Sequence, residues 1–399
     1  MNLHSGTPFW LVKNGLVSAR PPLSSNETCD VAIVGAGVTG ALVAHALTVE
    51  GLETVIIDAH ESGGGSTAAS TALLQYEIDL ELLQLSDKIG RTGAERAYLA
   101  SSSAVASVVR LGSDLGDCDV VTRASLYLAT TRGDASRLQK EAAARAAIGL
   151  EVEWWTASRV RETYGFPSHG AIRSAQAAEI DALAFTRRLL DASVHAGARL
   201  YEQTKLAAYE SRNGGVHLRT ACGHSIEARL MICATGYDVP AFFKQERASL
   251  HSSYALATER LSGFGSWHDQ CLVWESARPY AYMRTTADGR IIIGGEDVRF
   301  QNPARRDRML PRKTRRLERT LAALLPGLET STAFEWTGTF AETDDGLPYI
   351  GPDLRYPGVL FALGYGGNGI TFSAIAAELL TALSLGHSHM DADLFRMDR

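Results

Sequence analysis

Cysteine is scarce. The five in 399 residues, Cys29, Cys118, Cys222, Cys233 and Cys271, are scattered and odd in number. None forms a C-x-x-C pair, so the chain reads as neither a disulfide framework nor a zinc site, and no metal is expected. Reduced thiols in a cytoplasm are the plain reading. Basic excess is also lacking: the net charge is −6, which argues against a nucleic-acid binder. No apolar run approaches the ~18 residues of a membrane span, and no basic segment leads into a long apolar core at the N-terminus. Nothing repeats at a fixed period, and no segment is of low complexity. At 399 residues of ordinary globular composition, two domains are the natural expectation.

The informative stretch runs from Asp30 to Asp58. Val31 to Val34 reads as a buried parallel strand. Gly35, Gly37 and Gly40 follow in G-x-G-x-x-G spacing, with Val38 and Thr39 between them. Ala41 to Leu47 reads as a helix ended by Gly51, and Thr54 to Ile57 as a second strand closed by Asp58. In such a unit the first glycine permits a tight turn, the second lets the backbone approach a pyrophosphate, and the third lets the helix pack closely. The helix N-terminus offers N–H groups to phosphates, and the acid accepts from a ribose. The expectation is α/β, with a Rossmann-like dinucleotide-binding βαβ unit.

Residues 1–29 form an arm whose Phe9, Trp10, Leu11, Leu16 and Val17 are too apolar for a free tail. It packs on the body or lines an entrance. Gly63 to Ser70 is a small-residue loop, either brought close to a cofactor or simply solvated. Leu82 to Leu115, Asp134 to Ile148 and Glu179 to Ala196 read as helical. Leu126 to Thr130, Leu200 to Ala208, Val216 to Leu218 and Leu230 to Gly236 read as strands, with a turn at Asn213-Gly214-Gly215. From 246 to 300 the texture is β, with a hairpin signal at Asp288-Gly289. Arg305 to Arg319 reads as a solvated helix face over a packed stripe of Leu310, Leu317, Leu321 and Leu324. The tail holds W-T-G-T-F-A-E-T-D-D-G-L-P-Y-I-G-P, a strand, then G-Y-G-G-N-G-I-T-F-S: a second strand, glycine turn and helix N-terminus.

Four segments, VAIVGAGVTG, the loop after Asp58, MICATGYD and DGLPYIGP…GYGGNGIT, together resemble the FAD-dependent amino acid and amine oxidase family. That family includes D-amino acid oxidase, glycine oxidase and sarcosine oxidase. The resemblance spans about residues 8 to 385, and the arm with Phe9-Trp10 looks closest to the γ-glutamylputrescine oxidase branch. It implies an FAD domain interleaved with a substrate domain that carries a mainly antiparallel sheet. The FAD domain would take 1–110, 173–245 and 335–399, and the substrate domain 111–172 and 246–334. By the same resemblance Gly35, Gly37 and Gly40 would meet the pyrophosphate, and Asp58 with Ala59 the ribose. Ser66, Thr67, Ser70, Thr71 and Leu73 would lie near the flavin, and Lys205 and Leu206 near the adenine. Ala234, Thr235 and Gly236 would bring a strand back to the nucleotide. Gly366, Gly367, Asn368, Gly369, Ile370 and Thr371 would present a helix N-terminus to the flavin.

One departure bears on substrate. Many relatives read W-x-G-x-R-P in the tail, and their Arg grips a substrate carboxylate. Here Trp336 and Gly338 match, but Phe340 and Ala341 replace Arg-Pro, and a phenyl ring cannot pair with a carboxylate. Arg284 either supplies the charge or is a plain strand residue. Tyr280, Tyr282 and Trp336 either wall the pocket or pack in the sheet, and Glu77 either pairs with an amine or is structural. Relatives attach FAD through a tail cysteine or a loop histidine; neither is present here, so non-covalent FAD is expected. The implied reaction is hydride transfer from an amine or amino-acid-like molecule to the flavin, followed by imine hydrolysis, with oxygen or an electron carrier taking the electrons. The rivals are an FAD enzyme for hydroxy acids, an NAD-dependent dehydrogenase, and a flavin-binding protein that needs a partner.

Overall fold

The computed structural model describes residues 2–15, 19–212, 214–243 and 248–399. Leu16 and Val17 of the arm, Asn213 of the expected turn and the expected boundary at 245/246 lie outside the described residues. Two sheets carry the fold. The first runs in the order Tyr349–Pro352, Val359–Leu363, Ser225–Cys233, Glu27–Val34, Thr54–Ile57 and Arg199–Tyr201. Its central pairs are parallel. Val31 and Ile33 pack with the helices on one face, and Ala32 and Val34 enter a separate cluster on the other. Burial on both faces is why this strand reads as a continuous apolar run.

The second sheet is mostly antiparallel. Its long members are Val121–Leu128, Gly170–Glu179, Ala248–Thr258, Ile291–Arg299 and Thr332–Thr343. The helix Pro303–Leu324 covers one face with Leu310, Leu317, Leu321 and Leu324, all buried as the stripe implies. Its arginines are mainly exposed, except Arg306. That side chain is sealed inside, donating to the Asn2 carbonyl at 3.0 Å and to Thr339 Oγ1 at 2.9 Å. The arm packs on the body: Phe9 and Trp10 are buried, and His4–Gly6 adds an edge strand to Thr332–Thr343.

One local reading needs correction, and two further stretches are left unassigned by the sequence. Gly170–Glu179 is a ten-residue strand; its Gly, Ala and Ser residues have little β propensity, and contacts with three neighbouring strands override that. Leu200 to Ala208 is not one strand but two, Arg199–Tyr201 and Leu206–Arg212, broken where Gln203 takes φ 49°. Val152–Thr156 is a strand and Ala157–Tyr164 a helix, capped by the Thr156 hydroxyl. Sheet membership also crosses the expected domain boundaries. His4–Gly6 and Leu73–Gln75 run in the second sheet, as do all of Gly170–Glu179 and Thr332–Thr343.

Candidate active site

A cavity of about 910 Å3 is lined by residues from both sheets, at the large end of the roughly 300–1,000 Å3 typical of ligand and cofactor sites. At one end lies the first glycine turn. Gly35 has φ 110°, and a Cβ there would stand 2.4 Å from the Ala234 carbonyl. Gly40 lies outside the cavity wall, where a Cβ would fall 1.8 Å from the Gly35 carbonyl, so it serves the close approach of helix Val38–Val49. Gly37 faces the cavity, and the nearest atom to an added Cβ is Thr67 Oγ1 at 3.3 Å. Thr67 Oγ1 accepts the Val38 N–H at 3.0 Å, fixing the small-residue loop against the helix N-terminus.

Asp58 holds the turn from the other side. Its Oδ2 accepts the Ala36 N–H at 2.7 Å and its Oδ1 the His60 N–H at 2.8 Å. Burial raises its pKa while these two bonds oppose the rise. Each carboxylate oxygen keeps a further lone pair for a ligand hydroxyl. The second helix, Gly369–Ser384, meets the first at its own N-terminus, where Thr39 Oγ1 and Ser373 Oγ lie 2.8 Å apart. Two positive helix ends thus face one cavity.

The loop from Ala69 to Ala72 is held by its carbonyls. Trp336 Nε1 donates to Ala69 at 2.9 Å, Trp10 Nε1 to Ser70 at 2.6 Å, and Arg284 to Ala72 at 2.7 Å. Ala72 sits at φ 58°, a conformation that needs such support. Arg284 also donates to Ile180 at 2.8 Å and Thr285 at 2.8 Å and lies 3.6 Å from Glu179. It is 1% exposed and does not line the cavity. Of the two readings left open for Arg284, neither a cavity position nor a plain strand residue describes it: its guanidinium lies under the loop and ties it through the Ala72 carbonyl.

The remaining expected residues divide cleanly. Val38, Thr39, Ala59, Ser66, Ser70, Thr71, Leu73, Lys205, Leu206, Ala234, Thr235, Gly236, Gly366, Gly367, Asn368, Gly369 and Ile370 line the cavity, as do Tyr282, Trp336 and Phe340. Thr371 does not: its hydroxyl donates to the Gln75 carbonyl at 2.9 Å. Glu77 reaches the wall but is built into the core, accepting from Ser174 at 3.0 Å and Ser125 at 3.3 Å with Arg145 at 3.7 Å. Sequence reasoning missed Asp79, Ser253, Trp274, Asp297 and the arm's own Asn2 to His4, all of which line the cavity. Asp79 accepts from Tyr280 at 3.1 Å and from the Gly367 N–H at 3.2 Å. Burial pushes the Asp297 carboxyl up to about 7. No arginine lines the cavity among the described residues, and its one lysine, Lys205, belongs to the strand break beside Asp58.

Comparison with known proteins places this geometry. Residues 30–383 match the family described as DAO, FAD dependent oxidoreductase. The chain is 24% identical over 367 residues to glycine oxidase of Bacillus licheniformis, covering 90% of this chain and 93% of that protein. It is 24% identical over 388 residues to γ-glutamylputrescine oxidoreductase of Escherichia coli (strain K12), covering 94% and 86%. Its fold is similar to that of glycine oxidase from Geobacillus kaustophilus, with a TM-score of 0.75 at 22% identity over 92% of this chain and 96% of that one. FAD fits the cavity. The open face of Gly37 and the helix end beside it suit a pyrophosphate, Asp58 suits a ribose, and the second helix end suits the polar edge of a flavin.

Proposed function

From the premise that the chain belongs to the DAO family of FAD-dependent oxidoreductases, we propose that it oxidises the C–N bond of an amine that carries no carboxylate on the reacting carbon. FAD supplies a two-electron acceptor for the hydride leaving that carbon, and water then hydrolyses the resulting imine. The chain's part is to bind, orient and dry the substrate. Trp274, Tyr280, Tyr282 and Trp336 give the cavity an aromatic wall, with Tyr280 reaching the second glycine turn at Gly367. On this reading FAD is held without a covalent bond: no cysteine lines the cavity among the described residues, and the loop after Thr54–Ile57 carries Thr67 to Thr71 rather than a histidine at the attachment position.

The observation that carries this reading is the absence of a carboxylate anchor. Phe340 stands in the cavity wall where Arg would be, in contact with His251 at a ring separation of 5.5 Å. Arg284 is committed to main-chain carbonyls. Asp79 and Asp297 give the same end acidic character. A buried carboxylate there would lack a partner and cost several kcal/mol, whereas an ammonium is welcomed.

The rival reading that shares the cofactor site is oxidation of a hydroxy acid. Incubating the purified protein with butylamine and with D-lactate separates the two. The expected products are butanal and ammonia in equal amounts from the amine and no pyruvate from lactate. Pyruvate without butanal would overturn the amine assignment. Hydrogen peroxide formed in air tells whether oxygen or an electron carrier takes the electrons.

A further inference from the structure

The strand Ile291–Arg299 does not pair evenly with Ala248–Thr258. Tyr254 faces Gly295 and Ser252 faces Val298, so Glu296 and Asp297 together oppose Ser253 alone. This is a bulge, a device that re-aims a side chain beside a functional site, and Glu296 pays for it with φ 59°. Glu296 turns outward, where its carboxylate takes Lys313 at 2.8 Å and Arg316 at 2.9 Å. Lys313 gives a second bond to the Glu296 carbonyl at 2.7 Å. Asp297 turns the other way and lines the cavity. Its Oδ1 is shut off from solvent and has no hydrogen-bond partner among the described residues. A buried carboxylate oxygen without a donor is costly, and the half-buried side chain that carries it lines a cavity from which a ligand can donate. Asp79 lines the same cavity, already oriented by Tyr280 and the Gly367 N–H.

We propose that Asp297, with Asp79 beside it, binds a second cationic nitrogen of the substrate, so that the preferred class is a diamine or polyamine rather than a monoamine. This rests on the reading of the cavity as an amine site and adds to it a second recognition point. The Ser253 hydroxyl supplies the carboxylate with a hydrogen bond but no charge, and Lys313 is already engaged by Glu296, so the charge of Asp297 is left for a ligand. The groups that face Asp297 are Ser253 and Tyr282 across the sheet, Asp79 from the loop, Glu342 from Thr332–Thr343 with His251 beside it, and Lys313 from the covering helix. Burial and the two neighbouring acids favour its neutral form when no cation is present. A bound ammonium reverses that balance.

The experiment titrates the oxidised, FAD-loaded protein anaerobically with 1,4-diaminobutane and with butylamine, following perturbation of the flavin spectrum at early times and heat of binding. The wild type should bind the diamine at least tenfold more tightly. In Asp297→Asn that ratio should fall about tenfold or more, with flavin content retained. A second measurement needs no variant. Between pH 6 and pH 8 the ratio should rise about tenfold, because the carboxyl ionises in that window while aliphatic amines stay protonated. Equal affinity for the two amines, or a ratio unmoved by Asp297→Asn and by pH, would overturn the proposal. Asp297-dependent diamine binding without flavin reduction by either amine would instead keep the cation site and sink the amine-oxidation reading. Binding of neither amine would overturn both.

Discussion

Arg284→Ala should lower the stability of the folded protein by about 3–5 kcal/mol, the range for removing one partner of a buried ion pair. The guanidinium holds the carbonyls of Ala72, Ile180 and Thr285, and Glu179 Oε2 lies 3.6 Å away. Truncation leaves those oxygens buried without their donor, and each such loss costs about 1–3 kcal/mol. Glu179 keeps Arg123 on its other oxygen at 2.7 Å, which limits the damage. Arg284→Lys should fail nearly as badly, because one ammonium cannot span three carbonyls. The loop Ala69–Ala72 then loses one of the three side chains that hold its carbonyls, Arg284 reaching those of Thr71 and Ala72, so flavin content should fall with stability. Chemical denaturation, with flavin release followed in parallel, measures both. A variant of wild-type stability that had lost only substrate binding would show that the arginine faces the substrate after all.

Gly37→Val should give folded protein with almost no flavin. The residue lies at φ −76°, which valine adopts freely, and the closest atom to an added Cβ is Thr67 Oγ1 at 3.3 Å. The cost to folding is therefore on the order of 1 kcal/mol. The side chain would instead stand in the cavity at the helix N-terminus, where a pyrophosphate must touch backbone. FAD affinity should drop at least a hundredfold, about 2.7 kcal/mol. Gly40→Ala makes the contrast. Its Cβ meets the Gly35 carbonyl at 1.8 Å, so it should damage the fold itself. Circular dichroism with flavin absorbance separates the two variants. Wild-type flavin occupancy in Gly37→Val would remove the first glycine turn from the cofactor site.

These two predictions mark where the sequence could be read and where it could not. Gly35, Gly37, Gly40 and Asp58 were legible because their roles are local: a turn, a close approach and a strand end within thirty residues. The leucine stripe of Pro303–Leu324 was legible for the same reason, since helical period decides which side chains share a face. Arg284 was not. It shares strand parity with Tyr282, which does line the cavity. Two residues along a strand are nearly 7 Å apart, enough to carry the arginine past the cavity edge and under a loop from elsewhere in the chain. Asp297 was hidden differently. Nothing in G-G-E-D-V-R says that a bulge will send Glu296 to Lys313 and Asp297 inward. That depends on the register with Ala248–Thr258 and on a helix that follows later. Arg306 shows the same limit, because one arginine in a run of exposed ones is buried by the N-terminal arm.

The central claim is that this FAD-dependent oxidoreductase oxidises an amine that carries no carboxylate on the reacting carbon. Anaerobic mixing of the FAD-loaded protein with glycine, sarcosine, D-alanine, 1,4-diaminobutane and γ-glutamylputrescine in a stopped-flow spectrometer tests it most directly. The expected result is loss of the oxidised flavin band with one or both of the last two and none with the three α-amino acids. Fast bleaching by glycine or D-alanine would contradict it, and would mean that a carboxylate finds an anchor in a cavity that no arginine lines among the described residues.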